Sequence, residues 1–252
     1  MKFKDKVVII TGGARDIGRA VSLDLANHGA KLAINYFGSE DQAQSLNQEL
    51  KNNNSHAFIL KGDMTNKDDV VALVEKTISH YGNEIHGLVN ISGGLVQRKK
   101  IDEMDENFLN KVVQLNFNST FLATQQVLPY MTSGSSIVNF ASQAGRDGGG
   151  PGASAYAASK GAVMTFTRSM AKELGQQGIR VNRLCPGMIT TAFHDTFTKD
   201  EVRSNVANAT PLKREGRPDE MATTVSFLLS DESSFLHDFY FQLFPVVIDE
   251  ND

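Results

Sequence analysis

At 252 residues, 40% hydrophobic and 21% charged, the chain has the make-up of a folded protein with room for one sizeable α/β core, and not that of a disordered one. Its net charge of −4, without a long basic block or an array of aromatics, argues against nucleic acid or a membrane as partner and favours a small dissolved molecule. Cys185 is the one cysteine, which excludes an intrachain disulfide and a multi-cysteine metal site, and the six histidines lack ligand spacing, so no metal is expected.

Taken in chain order, Met1 to Lys6 run directly into a short apolar segment, with no extended hydrophobic stretch or small-residue cleavage site, which points to a cytoplasmic protein. Short β-branched runs then recur at Val7–Ile10, Leu32–Ile34, Ala57–Leu60, Gly87–Val89, Ser136–Phe140 and Ile179–Leu184. Between them, Ile17–His28, Ser39–Asn54 and Asn66–Tyr81 repeat their apolar residues near every 3.6 positions, as amphipathic helices do. This alternation predicts an α/β doubly wound, Rossmann-type parallel sheet with helices on both faces. No linker or repeat divides residues 1–252, so a single domain is expected. Ligands of such sheets bind beyond the carboxyl ends of the strands, and the chemistry is sought there.

The first strand ends in Thr11-Gly12-Gly13-Ala14-Arg15-Asp16-Ile17-Gly18 and opens a helix. Glycines at that turn would let a pyrophosphate approach backbone N–H groups at the positive end of the helix, although strand-to-helix turns also use glycine for geometry alone. Further on, Tyr156 and Lys160 stand one helical turn apart on the same face, after Ser142 and a glycine-rich loop at Gly145–Gly152. Taken alone, the pair is an ordinary i, i+4 contact and Ser142 a turn former.

With these motifs in order, the chain resembles the short-chain dehydrogenase/reductase family over residues 3–236, with closest likeness to its 3-oxoacyl-carrier-protein reductase and sugar dehydrogenase subgroup. The resemblance rests on the turn at 11–18, Asp63, Asn90-Ile91-Ser92-Gly93, Asn116, Ser142, Tyr156, Lys160 and Pro186-Gly187. It implies hydride transfer between a nicotinamide dinucleotide and a carbonyl or secondary alcohol. Tyr156 would be the acid/base, Lys160 would lower its pKa and bind ribose, Ser142 would hold the carbonyl oxygen, and Asn116 would kink its helix and support a proton relay. The same resemblance assigns the dinucleotide to Gly12, Arg15, Asp16, Ile17, Gly18, Asn35, Asp63, Met64, Asn90, Gly93, Tyr156, Lys160, Pro186, Gly187, Ile189 and Thr191. Among these, Asp63 would meet the adenine, Asn90 and Gly93 the adenosine ribose, and Ile189 and Thr191 the nicotinamide carboxamide.

The second strand ends at Asn35-Tyr36 instead of the acid that binds a ribose 2′-hydroxyl, and Arg15 could pair with a 2′-phosphate, so NADP(H) is favoured. Asp16 and Glu40 push the other way and leave NAD(H) open. Two departures from the family stand out. Asp16 occupies a glycine position, where its carboxylate should face the pyrophosphate or pair with Arg15 or Arg19. The end, 235–252, is apolar and aromatic in place of a Thr-Gly pair, a strand and Asp-Gly-Gly, and is expected to form the last strand or to pack on a neighbouring subunit. The family implies a homotetramer. The expected substrate is a small polar carbonyl compound such as a keto or aldehyde sugar acid, met by Arg98, Lys99, Lys100 or Arg146. The alternatives are a 3-oxoacyl-carrier-protein reductase and a catalytically silent nucleotide sensor or scaffold. Against the former, the surface near Thr132-Ser133 and Gln176-Gln177 lacks basic residues for an acidic carrier.

Overall fold

The computed structural model describes residues 1–238 and the backbone of 240–243. The six short β-branched runs become β1 (Val7–Thr11), β2 (Lys31–Tyr36), β3 (Ala57–Lys61), β4 (Gly87–Asn90), β5 (Ser136–Phe140) and β6 (Arg180–Pro186), and β7 (Tyr240–Leu243) is a further strand. The helices are α1 (Asp16–Asn27), α2 (Glu40–Asn52), α3 (Lys67–Tyr81), α4 (Glu106–Val113), α5 (Ser119–Val127), α6 (Ala144–Asp147), α7 (Ser154–Leu174), α8 (Ala192–Phe197), α9 (Asp200–Ala209) and α10 (Pro218–Leu229). The sheet order is β3-β2-β1-β4-β5-β6-β7, and every pairing is parallel. The order reverses between β1 and β4, which opens a crevice at their carboxyl ends.

Alternation along each strand divides the core into two layers. Val8 and Ile10, with Leu32, Ile34 and Val138, bury against Val21 and Leu25 of α1, Leu46 and Leu50 of α2, and Val225 and Leu228 of α10. Ile9, Ala33, Leu88, Ile137 and Val181 face the other way, onto Val70 and Leu73 of α3, Val127 of α5 and Leu174 of α7. Both faces being covered, the central strands read as continuous apolar runs, as parallel strands between helical layers must.

At the end of the chain, His237 and Asp238 tie the last described side chains to the sheet. The Val181 N–H donates to His237 Nδ1 at 3.3 Å, and Arg183 Nη1 donates to Asp238 Oδ1 at 2.9 Å. The backbone of Tyr240–Leu243 then pairs with Arg183 to Pro186, so part of the expected apolar tail is the seventh strand. Phe239 and residues 244–252 of that tail lie outside the described residues. No helix among the described residues is long and apolar enough to cross a membrane.

Candidate active site and dinucleotide cleft

The glycine turn closes β1 onto α1 with little space to spare. Gly12 has φ +66°, the left-handed conformation that glycine adopts without a side-chain clash. A Cβ on Gly18 would lie 2.1 Å from the Gly12 carbonyl oxygen, so Gly18 is required for the close approach of helix and turn. Neighbouring turns are laced to it: the Ile91 and Ser92 N–H groups donate to Thr11 Oγ1 at 3.1 and 3.3 Å. Thr11 therefore joins the ends of β1 and β4, a role that sequence reading missed and that its place in a Thr-Gly pair could have signalled.

Asn35 and Asn90, both expected to meet the dinucleotide, are tied into the fold through their side chains. Asn35 is buried; its Oδ1 accepts from Gly12 N at 3.2 Å and its Nδ2 donates to Gly62 O at 2.8 Å, so it holds two turns in shape beneath the cleft. Asn90 is also buried, donating from Nδ2 to Asn139 Oδ1 at 2.9 Å and Thr124 Oγ1 at 3.3 Å, and it crosslinks β4, β5 and α5. Both residues shape the floor of the cleft, and Asn90 Oδ1 is buried without a partner. Asp63 Oδ1 accepts from the Thr65 N–H and hydroxyl at 2.9 and 2.8 Å, which fixes the loop after β3, with Met64 buried behind it.

Asp16 takes neither of the two expected arrangements in full. With φ +49°, it turns its Oδ1 to accept from the Ala192 N–H at 3.1 Å, across to the start of α8. Its Oδ2 is 3.8 Å from Arg15 Nε, while Arg19 is taken up by Glu49 at 2.5 Å.

The four expected catalytic side chains converge at the carboxyl ends of β4 and β5. A π turn at Gln114–Asn118 interrupts the helix between α4 and α5, as such turns do at functional sites, and aims Asn116 inward. Asn116 is fully buried: Oδ1 accepts from Gly94 N, and Nδ2 donates to Gly94 O and Val112 O, each at 2.9 Å. A Cβ on Gly93 would meet Asn116 Oδ1 at 2.7 Å and Lys160 Nζ at 3.0 Å, so both groups crowd one backbone point and only glycine fits there. Ser142 hydrogen-bonds the Tyr156 phenol, and its Oγ accepts from Ala144 N at 3.2 Å.

Burial decides the proton affinities in this site. It pushes the Tyr156 phenol above its ordinary value, only partly offset by the bond from Ser142. The expected lowering by Lys160 does not dominate here: the ammonium is buried, donates to Phe140 O at 2.7 Å, and is itself pulled down to about 8 by desolvation. The phenol thus stays protonated at neutral pH, the form that donates.

After β6, Gln143 N donates to Pro186 O at 3.0 Å beside Gly187, and Gln143 Oε1 is buried without a partner. Ile189 is buried and bridges to Gly216, and Thr191 donates from Oγ1 to Ile189 O at 3.1 Å. Beyond them the structure adds Phe193, whose ring centroid lies 5.9 Å from that of Tyr156 and 5.3 Å from Phe197. These rings were not foreseen, because their loop offers no periodic pattern. Two of the four cations expected to meet an acidic substrate are engaged within the protein. Arg98 donates from Nε to Phe197 O at 3.0 Å and from Nη1 to Pro151 O at 2.9 Å, and Lys99 Nζ sits 4.8 Å over the Phe108 ring.

Comparison with known proteins gives the family of the chain. A family model described as enoyl-(acyl carrier protein) reductase matches residues 12–237. The chain belongs to the short-chain dehydrogenase/reductase family. It is similar to the 3-oxoacyl-[acyl-carrier-protein] reductase FabG of Staphylococcus aureus, with 32% identity over 92% of this chain and 93% of that protein. It is also similar to the uncharacterized oxidoreductase YhdF of Bacillus subtilis, with 34% identity over 93% and 81%. A solved short-chain dehydrogenase/reductase described as a glucose/ribitol dehydrogenase, from Brucella melitensis, superposes with TM-score 0.89 at 28% identity, covering 96% of both chains. One from Serratia marcescens gives 0.90 at 26% identity, over 96% of this chain and 97% of that one. As a member of the family the chain is an oxidoreductase.

Proposed function

We propose that the protein is an NAD(P)H-dependent carbonyl reductase in which Tyr156 is the proton donor. The observation that carries this reading is a buried phenol, hydrogen-bonded by Ser142, one turn from Lys160 and kept in its protonated form. A bound nicotinamide supplies the hydride. As the carbonyl oxygen gains alkoxide character, Ser142 steadies it and Tyr156 gives up its proton, a task that needs an acid held within hydrogen-bond reach. Lys160, crowded with Asn116 at Gly93, would return a proton to the phenolate, with Asn116 supporting the relay.

The residues present fit a dinucleotide. Gly12 and Gly18 leave no room for side chains between turn and helix, and the orphaned Gln143 Oε1 beside the Pro186 turn is an acceptor awaiting a donor such as a carboxamide. Gly12, Gly18, Ile17 and Arg15 would cradle the phosphates, Asp63 and Met64 the adenine end, and Ile189 and Thr191 the nicotinamide. For the phosphorylated cofactor, Arg15 is an exposed cation in the turn between β1 and α1, and Glu40 is drawn into bonds with Tyr36 at 2.8 Å and Lys61 at 3.2 Å. The protein is expected to prefer NADPH, and a higher kcat/KM with NADH would reverse this.

Reduction of a 3-oxoacyl thioester is supported by the FabG likeness, though Thr132-Ser133 and Gln176-Gln177 offer no basic dock for an acidic carrier. A sugar acid draws less support, since Arg98 and Lys99 point to Phe197, Pro151 and Phe108. The full catalytic quartet weighs against a silent scaffold. We place the enzyme in a homotetramer of single-domain subunits, by analogy with its family. Tyr156→Phe tests the central reading: turnover should fall by about 10²–10⁴-fold while calorimetric dinucleotide affinity is kept, and near-wild-type turnover would remove Tyr156 from the chemistry.

A further inference from the structure

The contact between Asp16 and Ala192 joins residues 176 apart in sequence and crosses from the glycine turn to the segment beyond β6. Up to Thr190 that segment has its own anchors. Thr190 N donates to Gly216 O and Gly216 N to Met188 O, both at 2.9 Å, and Thr190 Oγ1 donates to Glu215 Oε2 at 3.0 Å. At α8 the backbone is tied at both ends by charged side chains. Ala192 N donates to Asp16 Oδ1 at its start, and Phe197 O accepts from Arg98 Nε at its finish, with Arg98 also held by Pro151 O. Phe193 lies between these ties, next to Ala192, with its ring against Tyr156 and Phe197.

We propose that Asp16 is a positioning residue for substrate selection: by holding the Ala192 amide it sets Phe193 against Tyr156, and so favours carbonyl substrates that carry a flat apolar group. Three features carry the argument. Asp16 adopts φ +49°, which costs a residue with a Cβ more than the glycine its family has there, so the side chain must supply something in return. Its carboxylate Oδ1 accepts from a backbone N–H, a charge-assisted bond stronger than a neutral one. The aromatic ring placed by that bond is one residue away and borders the phenol that would protonate the carbonyl. An aryl or extended planar group can stack beside Phe193, whereas a methyl group gains little there.

The selection half of this inference rests on the carbonyl-reductase reading; the docking half does not. Two variants respect the backbone, since glycine and asparagine both tolerate the left-handed conformation. Asp16→Asn keeps an acceptor oxygen; Asp16→Gly removes it. Hydrogen exchange of the peptide covering 188–198, without dinucleotide or substrate, should quicken about tenfold at Ala192 in Asp16→Gly and stay within about twofold in Asp16→Asn. Unchanged exchange in the glycine variant would overturn the docking. With an aryl α-keto ester and its methyl counterpart, the ratio of their kcat/KM values should fall about five- to tenfold in Asp16→Gly, recover in Asp16→Asn, and fall no further when Phe193→Ala is combined with Asp16→Gly. A ratio that holds while exchange quickens would overturn the positioning role. Absence of turnover with every carbonyl compound would instead overturn the reductase reading, and the exchange result would still decide whether Asp16 docks α8.

Discussion

Lys160 gives a prediction whose size follows from the structure. Its ammonium is 4% exposed and its pKa falls from 10.5 to about 8, because burial penalises the charged form. Below pH 8 the lysine is protonated in both folded and unfolded chains, and the folded state bears the full cost of the buried charge. As pH rises from 8 toward 10.5 the folded protein loses that proton before the unfolded chain does, so stability is gained with rising pH. The complete effect is about 3 kcal/mol, at ~1.4 kcal/mol per pKa unit, and about 2 kcal/mol of it falls between pH 7 and about 9.5. Lys160→Met keeps a straight side chain and removes the titration. It also leaves Phe140 O without its donor, an offset of about 1–3 kcal/mol that does not vary with pH. Urea denaturation of both proteins, free of dinucleotide and at a series of pH values, should show the wild type gaining about 2 kcal/mol on the variant across that window. Tyr156 is present in both, so its ionisation cancels to first order. A stability difference that is flat with pH would refute the depressed lysine pKa and the desolvation argument behind it.

Gly18→Ala would set a Cβ 2.1 Å from the Gly12 carbonyl oxygen. The turn must move, and the variant should lose about 1–3 kcal/mol of stability together with most dinucleotide binding, checked by thermal melts and titration calorimetry. Asp16→Asn removes a negative charge from the cleft and should tighten both NADH and NADPH, by about 1 kcal/mol or less at low salt and by less as ionic strength rises. Equal affinities at every salt concentration would mean that the carboxylate does not act on the phosphates.

The central strands were legible in the sequence because they are buried on both faces, so that hydrophobic run and strand nearly coincide: Ser136–Phe140 agrees to the residue, and Gly87–Val89 gains only Asn90. Helix ends were legible where a cap exists. Asn66, expected as the first helical residue, is the cap of α3, its side chain accepting from Asp68 N at 2.8 Å. The four side chains that the resemblance picks out are not contiguous in sequence, and Asn116 stands at a π turn that periodicity alone does not reveal. A polar residue at a strand end, such as Asn35 or Asn90, reads the same in sequence whether it faces the cleft or lies beneath it. Only the tertiary neighbours, Gly12 and Gly62 for one and Asn139 and Thr124 for the other, decide between the two. The partners of Arg98 are hidden for the same reason, since the carbonyls that hold it come from two other segments.

The two departures from the family pattern share one physical logic. Asp16 has φ +49°, and Asp238, in the segment that stands where the family carries a Thr-Gly pair, has φ +55°. A left-handed backbone disfavours a residue with a Cβ, and aspartate is among the few side chains that visit it routinely. Glycine would relax the backbone at both places but leave nothing to bond with. The aspartates keep the turn and add a carboxylate that reaches a distant element: Asp16 reaches the Ala192 amide, and Asp238 reaches Arg183 on β6, a guanidinium only 4% exposed. A small backbone cost is thereby exchanged for a charge-assisted tie that a glycine at the same place could not make. In the first case the tied segment carries Phe193 against Tyr156, and in the second it leads into the strand that closes the sheet against β6. Substitution of a glycine in this family need not weaken a turn, provided that the incoming side chain tolerates the conformation and finds a partner within reach.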